Sequence, residues 1–249
     1  MSFRAVIPTR WLAYRIHEIA LQRSQQECFV LYKHLCRASG LRSSAGCFFE
    51  AYVHEWFQEG GTFFANEIPI VNKTLPLLKL NIKRVEADSP NYFSTPETLL
   101  GQVKTRGGRG ISDVAISNYF RPYARNYPSI DALMFCDKKS IILFQMTIAK
   151  HHDIKPHGVA DLLKSLPMII RNVYFVFVVP EECSSNYSRE QKVPKAAEIC
   201  SRRSNLQIKQ FRLLFKDRDI QKVVVQGPAM QDEEDEEDEY DEYDDYPSE

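Results

Sequence analysis

Residues 119–158, YFRPYARNYPSIDALMFCDKKSIILFQMTIAKHHDIKPHG, contain the pattern that decides the fold. Two apolar runs, 129–135 and 141–148, flank a short segment of polar residues at 136–140. A short connection rich in Asp, Lys and Ser between β-prone runs is typical of a hairpin. The stretch therefore predicts two antiparallel strands joined by a tight turn.

Pairing Phe135 with Ile141 sets the register of this hairpin, so that Asp131 lies opposite Gln145. Side chains alternate with period 2 along a strand, and Gln145 and Thr147 therefore share the face that carries Asp131. A carboxylate on an otherwise apolar sheet is costly unless it is paired or holds a metal ion. The hairpin thus indicates a site at Asp131.

A wider set of residues carries a family resemblance. It comprises Ile130-Asp131, Phe144-Gln-Met-Thr147, His152, Ile154, Lys155 and Gly158, with Gly46-Cys-Phe-Phe-Glu50 and Gly60-Gly61-Thr-Phe upstream. This pattern resembles the nuclease domain of Crinkler and retrotransposon-hot-spot type proteins, over residues 5–225. Those domains are similar to the PD-(D/E)xK, or restriction-endonuclease-like, superfamily.

The resemblance implies a divalent cation held by Asp131, Gln145 and Glu50. Glu50 lies on a predicted helix over 46–59, and Glu55 is the alternative acid on that helix. Mg²⁺ prefers hard oxygen ligands and is usually held by one or two carboxylates, with waters completing its shell. Mg²⁺ or Mn²⁺ is therefore the expected cofactor.

In the superfamily a lysine lies two residues after the ligand that corresponds to Gln145, and here Thr147 occupies that position. Lys150 is the nearest lysine that could take its role, and Lys155 is the next candidate. His152 is the alternative general base, because a histidine titrates near neutral pH. The predicted catalytic set therefore includes Lys150 and His152.

Charge points to a polyanionic partner. The net charge of −1 hides an asymmetry, because 13 of the 33 acidic residues lie in 232–249 and all 32 basic residues precede them. Residues 1–231 therefore carry a formal charge of +12, which favours DNA as the partner, although a generically basic surface is the alternative.

Clustered cations between residues 104 and 155 are the predicted phosphate contacts. They are Lys104, Arg106, Arg109, Arg121, Arg125 and Lys155, and the interleaved aromatic residues are Tyr119, Phe120, Tyr123 and Tyr127. Lys and Arg can bind phosphates while aromatic rings stack on bases. A solvated basic loop is the plainer interpretation, and the absence of a GxxxxGK[ST] motif argues against nucleotide hydrolysis.

The remaining pattern predicts an α/β fold: a central mixed sheet of about four to six strands flanked by helices. Helical periodicity covers 8–38, and strands are predicted at 63–71, 75–85, 172–179 and 207–215, with a helix at 159–166. Residues 86–118 are predicted to be a flexible loop, and a short helix is possible at 194–203. The run at 172–179 should be parallel to the strand before the helix, because such crossovers are right-handed.

Segments outside the sheet add three expectations. Residues 231–249 are acidic enough to be a disordered tail, which could solubilise the chain, cover the basic surface or bind basic nuclear proteins. The six cysteines show no CxxC spacing and are expected to be reduced thiols of an intracellular protein. No signal peptide or membrane span is expected.

These observations predict a divalent-metal-dependent DNA endonuclease of low sequence specificity. The resemblance implies an effector that acts in a nucleus, its own or that of a host after secretion, and a separate P-loop ATPase as a partner. Two alternatives remain: a DNA-binding module whose catalysis has decayed, and a protein-interaction effector that acts through its acidic tail.

Overall fold

Eight β-strands form one mixed sheet in the computed structural model, which describes residues 12, 15–16, 19, 25–69, 77–86, 91–105, 107, 110–124, 127–150, 154–192 and 206–219. The strands are β1 (Gly61–Ile68), β2 (Leu77–Ile82), β3 (Asn91–Phe93), β4 (Tyr119–Pro122), β5 (Ala132–Asp137), β6 (Ser140–Met146), β7 (Asn172–Pro180) and β8 (Gln207–Phe215). Their order across the sheet is β2-β1-β8-β7-β6-β5-β4-β3. The predicted α/β class with a mixed sheet and flanking helices is confirmed.

Four α-helices whose bounds lie in the described part of the chain accompany the sheet, and the described residues 12, 15–16 and 19 are also helical. The four helices are α1 (Gln25–Arg37), α2 (Arg42–Gln58), α3 (Pro96–Val103) and α4 (Pro156–Ser165). Short 3-10 turns cover Ser39–Leu41, Asp113–Ala115 and Glu181–Tyr187. The start of α3 is the best capped, since Thr95 Oγ1 accepts from the Thr98 amide and the Thr98 hydroxyl accepts from the Thr95 amide.

The hairpin register is confirmed. β5 and β6 pair antiparallel with Phe135 opposite Ile141 and Leu133 opposite Leu143. Asp131 precedes β5, and its amide donates to the Phe144 carbonyl over 2.9 Å. The ladder thus continues one step beyond the strand and brings Asp131 to the end of β6.

Strand β7 follows β6 through α4 and pairs with it in parallel, as the crossover rule predicts. Strand β8 is parallel to β7, whereas β1 is antiparallel to β8. All seven residues of β6 are buried, and so are the last six of β7. Strands with both faces covered are typical of parallel sheets with helices on each side.

Each face of the sheet has its own hydrophobic core. On one face, α1 and α2 pack against Ile142, Phe144 and Met146. On the other, α3 and α4 pack against Ile141 and Leu143. Alternation along β6 therefore assigns successive side chains to different cores.

Several predicted bounds were wrong. The sheet has eight strands rather than four to six, because β3 and β4 were not predicted as strands; residues 86–118 include β3 and α3 instead of a continuous loop. Helix α2 begins at Arg42, four residues before the predicted start at residue 46, and Ser44 is buried inside it.

Some predictions fall outside the described residues. These are the acidic tail at 231–249, the short helix at 194–203 and most of residues 8–24. The helical prediction for 8–38 is confirmed at Gln25–Arg37 and at the described residues 12, 15–16 and 19. Among the described residues, Cys36, Cys47, Cys136 and Cys183 are free thiols, as expected. No helix in the described ranges is long and apolar enough to cross a membrane.

The segment before Asp131 is clamped by the start of α4. Ser129 has a positive φ of 61°, which is uncommon for a residue with a side chain, and its Oγ accepts from the Lys155 amide over 2.6 Å. A Cβ at Gly158 would lie 2.5 Å from the Pro128 carbonyl oxygen. Only glycine therefore allows this close approach, which fixes the backbone that leads to Asp131.

Replacing Gly158 tests this clamp. Gly158→Ala should lower the free energy of unfolding by about 1–3 kcal/mol, because the new methyl group must displace backbone rather than a flexible side chain. Urea denaturation measures the change. Gly101→Ala is the matched control: a Cβ at this helical glycine meets nothing within 4 Å, and the substitution should be neutral or stabilising. Equal effects in the two variants would contradict the clamp.

Candidate functional site

A surface pocket lies at the end of the hairpin that is away from its turn. It is lined by Glu50, His54, Arg121, Pro122, Ala124, Ile130 and Asp131. Two acids and one arginine thus come from three elements: α2, β4 and the segment before β5. The structure brings Glu50, Asp131 and Arg121, all of them predicted site residues, to the same place.

Asp131 is held by the neighbouring strand. Its Oδ2 accepts from the Met146 amide over 2.7 Å and from Gln145 Nε2 over 3.0 Å. Hydrogen bonds to the charged form of a carboxylate favour that form, and here they also fix the position of the side chain. The predicted pairing of Asp131 with Gln145 is therefore a direct contact.

Gln145 carries an unusual buried atom. Its side chain is buried, its Nε2 binds Asp131, and its Oε1 has no hydrogen-bond partner among the residues that the structure describes. An unpaired buried acceptor costs free energy, and such an atom calls for an explanation such as a bound ion. Gln145 does not itself line the pocket, but it contacts a residue that does.

Glu50 belongs to a buried chain of polar groups. Its Oε1 lies 3.7 Å from His54 Nε2, and His54 Nδ1 shares a 2.8 Å hydrogen bond with the Tyr119 hydroxyl. All three residues are buried. Because Glu50 and His54 are spaced i, i+4 on α2, they meet on one side of the helix. The chain from Tyr119 to Glu50 holds the acid at the pocket.

The alternative acid, Glu55, does not line the pocket. Burial raises the pKa of Glu55 from 4.5 to about 7, and the nearby Arg121 opposes that rise. Glu55 therefore titrates near neutral pH beside the site, while Glu50 is the acid that lines the same pocket as Asp131.

Arg121 is the cation that lines this pocket in the described part of the chain. Its guanidinium carbon lies 5.4 Å from the centre of the Tyr92 ring, a cation–π arrangement. Strand pairing places Tyr92 opposite Arg121, so the contact follows from the register of β3 and β4. The arginine is thus held between an aromatic ring and the acids.

The other predicted phosphate contacts are more dispersed. Lys104 and Lys155 are exposed and do not line the pocket, although Lys155 is tied through its amide to Ser129. Arg106, Arg109 and Arg125 lie outside the described residues. Arg121 is therefore the member of the predicted set that the structure places at the acids.

The expectation of stacking on four aromatic residues was largely wrong. Tyr119 and Phe120 are buried in the two cores, and the half-buried Tyr127 packs against Phe93. Only Tyr123 is freely exposed, at 78%. Alternation along a short strand could not identify Tyr119 and Phe120 as buried, because alternation distinguishes a buried face from an exposed one and β4 has a core on each face.

The lysine position of the resemblance is filled by a buried threonine. Thr147 Oγ1 accepts from the Ala149 amide over 3.0 Å, so its hydroxyl closes a local turn. Lys150 is exposed and does not line the pocket. His152 lies outside the described residues, and its role stays a prediction.

The donor chemistry of the site fits a hard cation. Two carboxylates, Glu50 and Asp131, line one pocket, and the buried amide oxygen of Gln145 has no hydrogen-bond partner in the described part of the chain. No group of three or more His, Cys, Asp or Glu residues positioned to hold a metal ion exists within the described ranges. Any cation here would therefore depend on Gln145 as well as on the two acids.

Comparison with known proteins adds no identity to this geometry. Neither a family model, nor a curated protein, nor a solved structure matches the chain. The site must therefore be interpreted from its own residues.

Two residues at or beside the pocket, His54 and Tyr92, were not among the predicted site residues. His54 was visible at i, i+4 from Glu50, which was the available signal for the polar chain. Tyr92 had no signal, because its strand lies in the region predicted to be a loop. Its proximity to Arg121 comes from the pairing of two strands that are distant in the chain.

Glu55 should make the stability pH-dependent. Its folded pKa of about 7 exceeds its ordinary value of 4.5, so the folded protein binds the proton more tightly. The free energy of unfolding should therefore fall as pH rises from about 4.5 to 7, with no further loss from this group above that range. Glu55→Gln should remove roughly 1–3 kcal/mol of this decline.

Urea denaturation at pH 5, 6, 7 and 8 measures the effect. Glu59→Gln is the control, because Glu59 is an exposed acid at the end of the same helix. This variant should retain the wild-type decline. A Glu55→Gln profile that parallels the wild type would show that Glu55 does not hold a proton in the folded state.

Proposed function

We propose that this chain is a divalent-metal-dependent nuclease that hydrolyses phosphodiester bonds in DNA with low sequence specificity. The observation that carries the proposal is the shared pocket of Glu50, Asp131 and Arg121 at the open end of the β5–β6 hairpin. Acids that hold a cation, placed beside an arginine that can bind a phosphate, are the groups this reaction requires.

The proposed ligands of Mg²⁺ or Mn²⁺ are Asp131, Glu50 and Gln145 Oε1. A bound divalent cation supplies charge stabilisation and a water of lowered pKa. Asp131 is already oriented by its bonds to Met146 and Gln145, and His54 orients Glu50. Ligands held in place before binding lose less conformational freedom when the cation and substrate arrive.

Arg121 is proposed to contact the phosphate. A guanidinium can donate two parallel hydrogen bonds to phosphate oxygens and remains charged at any physiological pH. Its place in the pocket offers a cation where Thr147 replaces the lysine of the resembling superfamily. Lys150 and His152 remain predicted participants from the sequence.

The finer fold assignment, a restriction-endonuclease-like core of Crinkler type, is part of the same proposal. It is supported by the order of elements: a helix carrying an acid, then the hairpin with Asp131 and Gln145, then a crossover helix and a parallel strand. The +12 charge of residues 1–231 supports DNA as the partner. A nuclear site of action, a separate P-loop ATPase and contacts through the acidic tail stay predictions from the sequence.

A binding module without catalysis is the second candidate. It is favoured by one observation: Thr147 fills the lysine position and its hydroxyl is engaged with the Ala149 amide. Such a protein would bind DNA in a salt-dependent manner without metal-dependent cleavage. The experiment below separates the two candidates.

Asp131→Asn should abolish cleavage of both plasmid and single-stranded DNA in Mg²⁺ or Mn²⁺. The amide keeps an acceptor for the Met146 amide but removes the negative charge that holds the cation. We expect a loss of more than roughly 100-fold, because even residues that only orient metal ligands contribute 10- to 100-fold. Nicking assays with EDTA controls measure the rate.

Asp137→Asn is the matched control, since Asp137 lies at the opposite, exposed end of the same hairpin. This variant should cleave at the wild-type rate. Cleavage that survives in pure Asp131→Asn protein would contradict the proposed site. Salt-dependent binding without cleavage in wild-type protein would favour the binding module.

Gln145→Glu should make stability depend on metal. Without a cation, the new carboxylate would repel Asp131 across a contact now 3.0 Å long and lower the melting temperature. Mg²⁺ or Mn²⁺ should restore it, because a cation that binds the folded state stabilises that state. Thermal unfolding with metal and with EDTA measures this without any need for activity.

Gln210→Glu is the control for that experiment. Gln210 is a buried amide that bonds to the Gln191 backbone and faces no carboxylate in the described contacts. Its replacement should destabilise the protein equally in metal and in EDTA. Equal metal responses of the two variants would argue against a cation site at Asp131.

A further inference from the structure

Two exposed tyrosines lie beside the pocket. Tyr123 is 78% exposed and Tyr92 is 37% exposed, with ring centroids 6.4 Å apart and planes at 84°. Most large aromatic side chains of this chain are instead packed in its two cores. A pair of exposed rings in mutual contact is therefore a surface feature that the core does not explain.

The backbone holds both rings in place. Tyr92 lies on β3, and its carbonyl accepts from Gln102 Nε2 over 2.8 Å. Tyr123 follows β4, and its amide donates to the Phe93 carbonyl over 2.7 Å. Because both tyrosines are tied to paired strands, the rings form a prepared surface rather than the tip of a free loop.

Arg121 joins this surface to the pocket. Its guanidinium packs over Tyr92 and also lines the pocket that contains Glu50 and Asp131. The order along the surface is therefore aromatic rings, then a cation, then carboxylates. A nucleotide offers matching groups in the same order: a base, which can stack on the rings, followed by a phosphate, which Arg121 can bind.

We propose that Tyr92 and Tyr123 form a stacking platform for an unpaired base, so that the substrate is single-stranded nucleic acid or the single-stranded part of a branched one. This rests on the proposed function, because Arg121 would bind the phosphate that follows the stacked base and hold it beside Glu50 and Asp131. In a duplex the faces of the bases are covered by their neighbours, whereas an unpaired base exposes its face to an aromatic ring. The platform thus selects for strands without a partner.

Binding in the absence of turnover tests the platform. The full chain is titrated in EDTA into fluorescein-labelled strands: single-stranded DNA, single-stranded RNA, the same DNA as duplex, and a DNA strand of abasic sites. Fluorescence anisotropy gives each affinity. We expect single strands to bind more tightly than duplex and abasic strand, and the DNA and RNA arms identify which sugar is preferred.

Tyr92→Ala and Tyr123→Ala should each weaken single-strand binding by roughly 5- to 100-fold, the range found when a base loses an aromatic stacking partner. Binding to duplex and to the abasic strand should change little, since neither offers a free base. Tyr123→Phe should retain the wild-type affinity, because it keeps the ring. Phe64→Ala is the matched control: Phe64 is 55% exposed on β1, towards the other edge of the sheet, and its loss should have no effect.

Several results would overturn the platform. They are equal affinity of wild-type protein for single strand, duplex and abasic strand, a loss in the tyrosine variants that is the same for all strands, or no nucleic-acid binding at all. Circular dichroism checks that each variant is folded. Failure of the nuclease proposal looks different: tyrosine-dependent binding of single strands would persist, but no strand would be cut in Mg²⁺ or Mn²⁺.

Discussion

The architecture depends on the burial of β6 on both of its faces. Ile142 and Phe144 pack under α1 and α2, while Ile141 and Leu143 pack under α3 and α4. A strand without a solvent face needs a helical layer on each side and a paired strand on each edge, which β5 and β7 provide. Near the end of this strand Gln145, a buried amide, contacts Asp131. The candidate site therefore lies where the apolar interior gives way to polar groups.

Charges at this place are compensated by groups that come from different elements. The carboxylate of Asp131 accepts from the Met146 amide and from Gln145, while Glu50 lies next to His54, which in turn bonds to Tyr119. Acids that are buried or half-buried keep their charge only if such partners are in place. The same partners hold the acids in fixed positions, so that the interactions that make the acids tolerable also prepare them for a ligand.

Local patterns predicted the parts of the fold whose signal is contained in a short window. The hairpin register and the last strand followed from apolar periodicity, and the parallel β7 from crossover geometry. Asp131 and Gln145 were found because the register places them side by side. The prediction of a loop at 86–118 was wrong because β3 has only three residues and is defined by its pairing with β4, which periodicity cannot predict. The prediction that Tyr119 and Phe120 stack on bases was wrong for a related reason: both faces of their strand are buried.

The sequence by itself determined the α/β class, the hairpin with its acid and amide, and a basic body with an acidic C-terminal end. These depend on neighbours in the chain and on composition. Only the tertiary structure decided that Glu50, rather than Glu55, shares a pocket with Asp131, and that Arg121 lines the same pocket. That arrangement depends on how far α2 is rotated over the sheet and on which strands pair. Both are set by the packing of two cores at once, a constraint that involves residues from the whole chain.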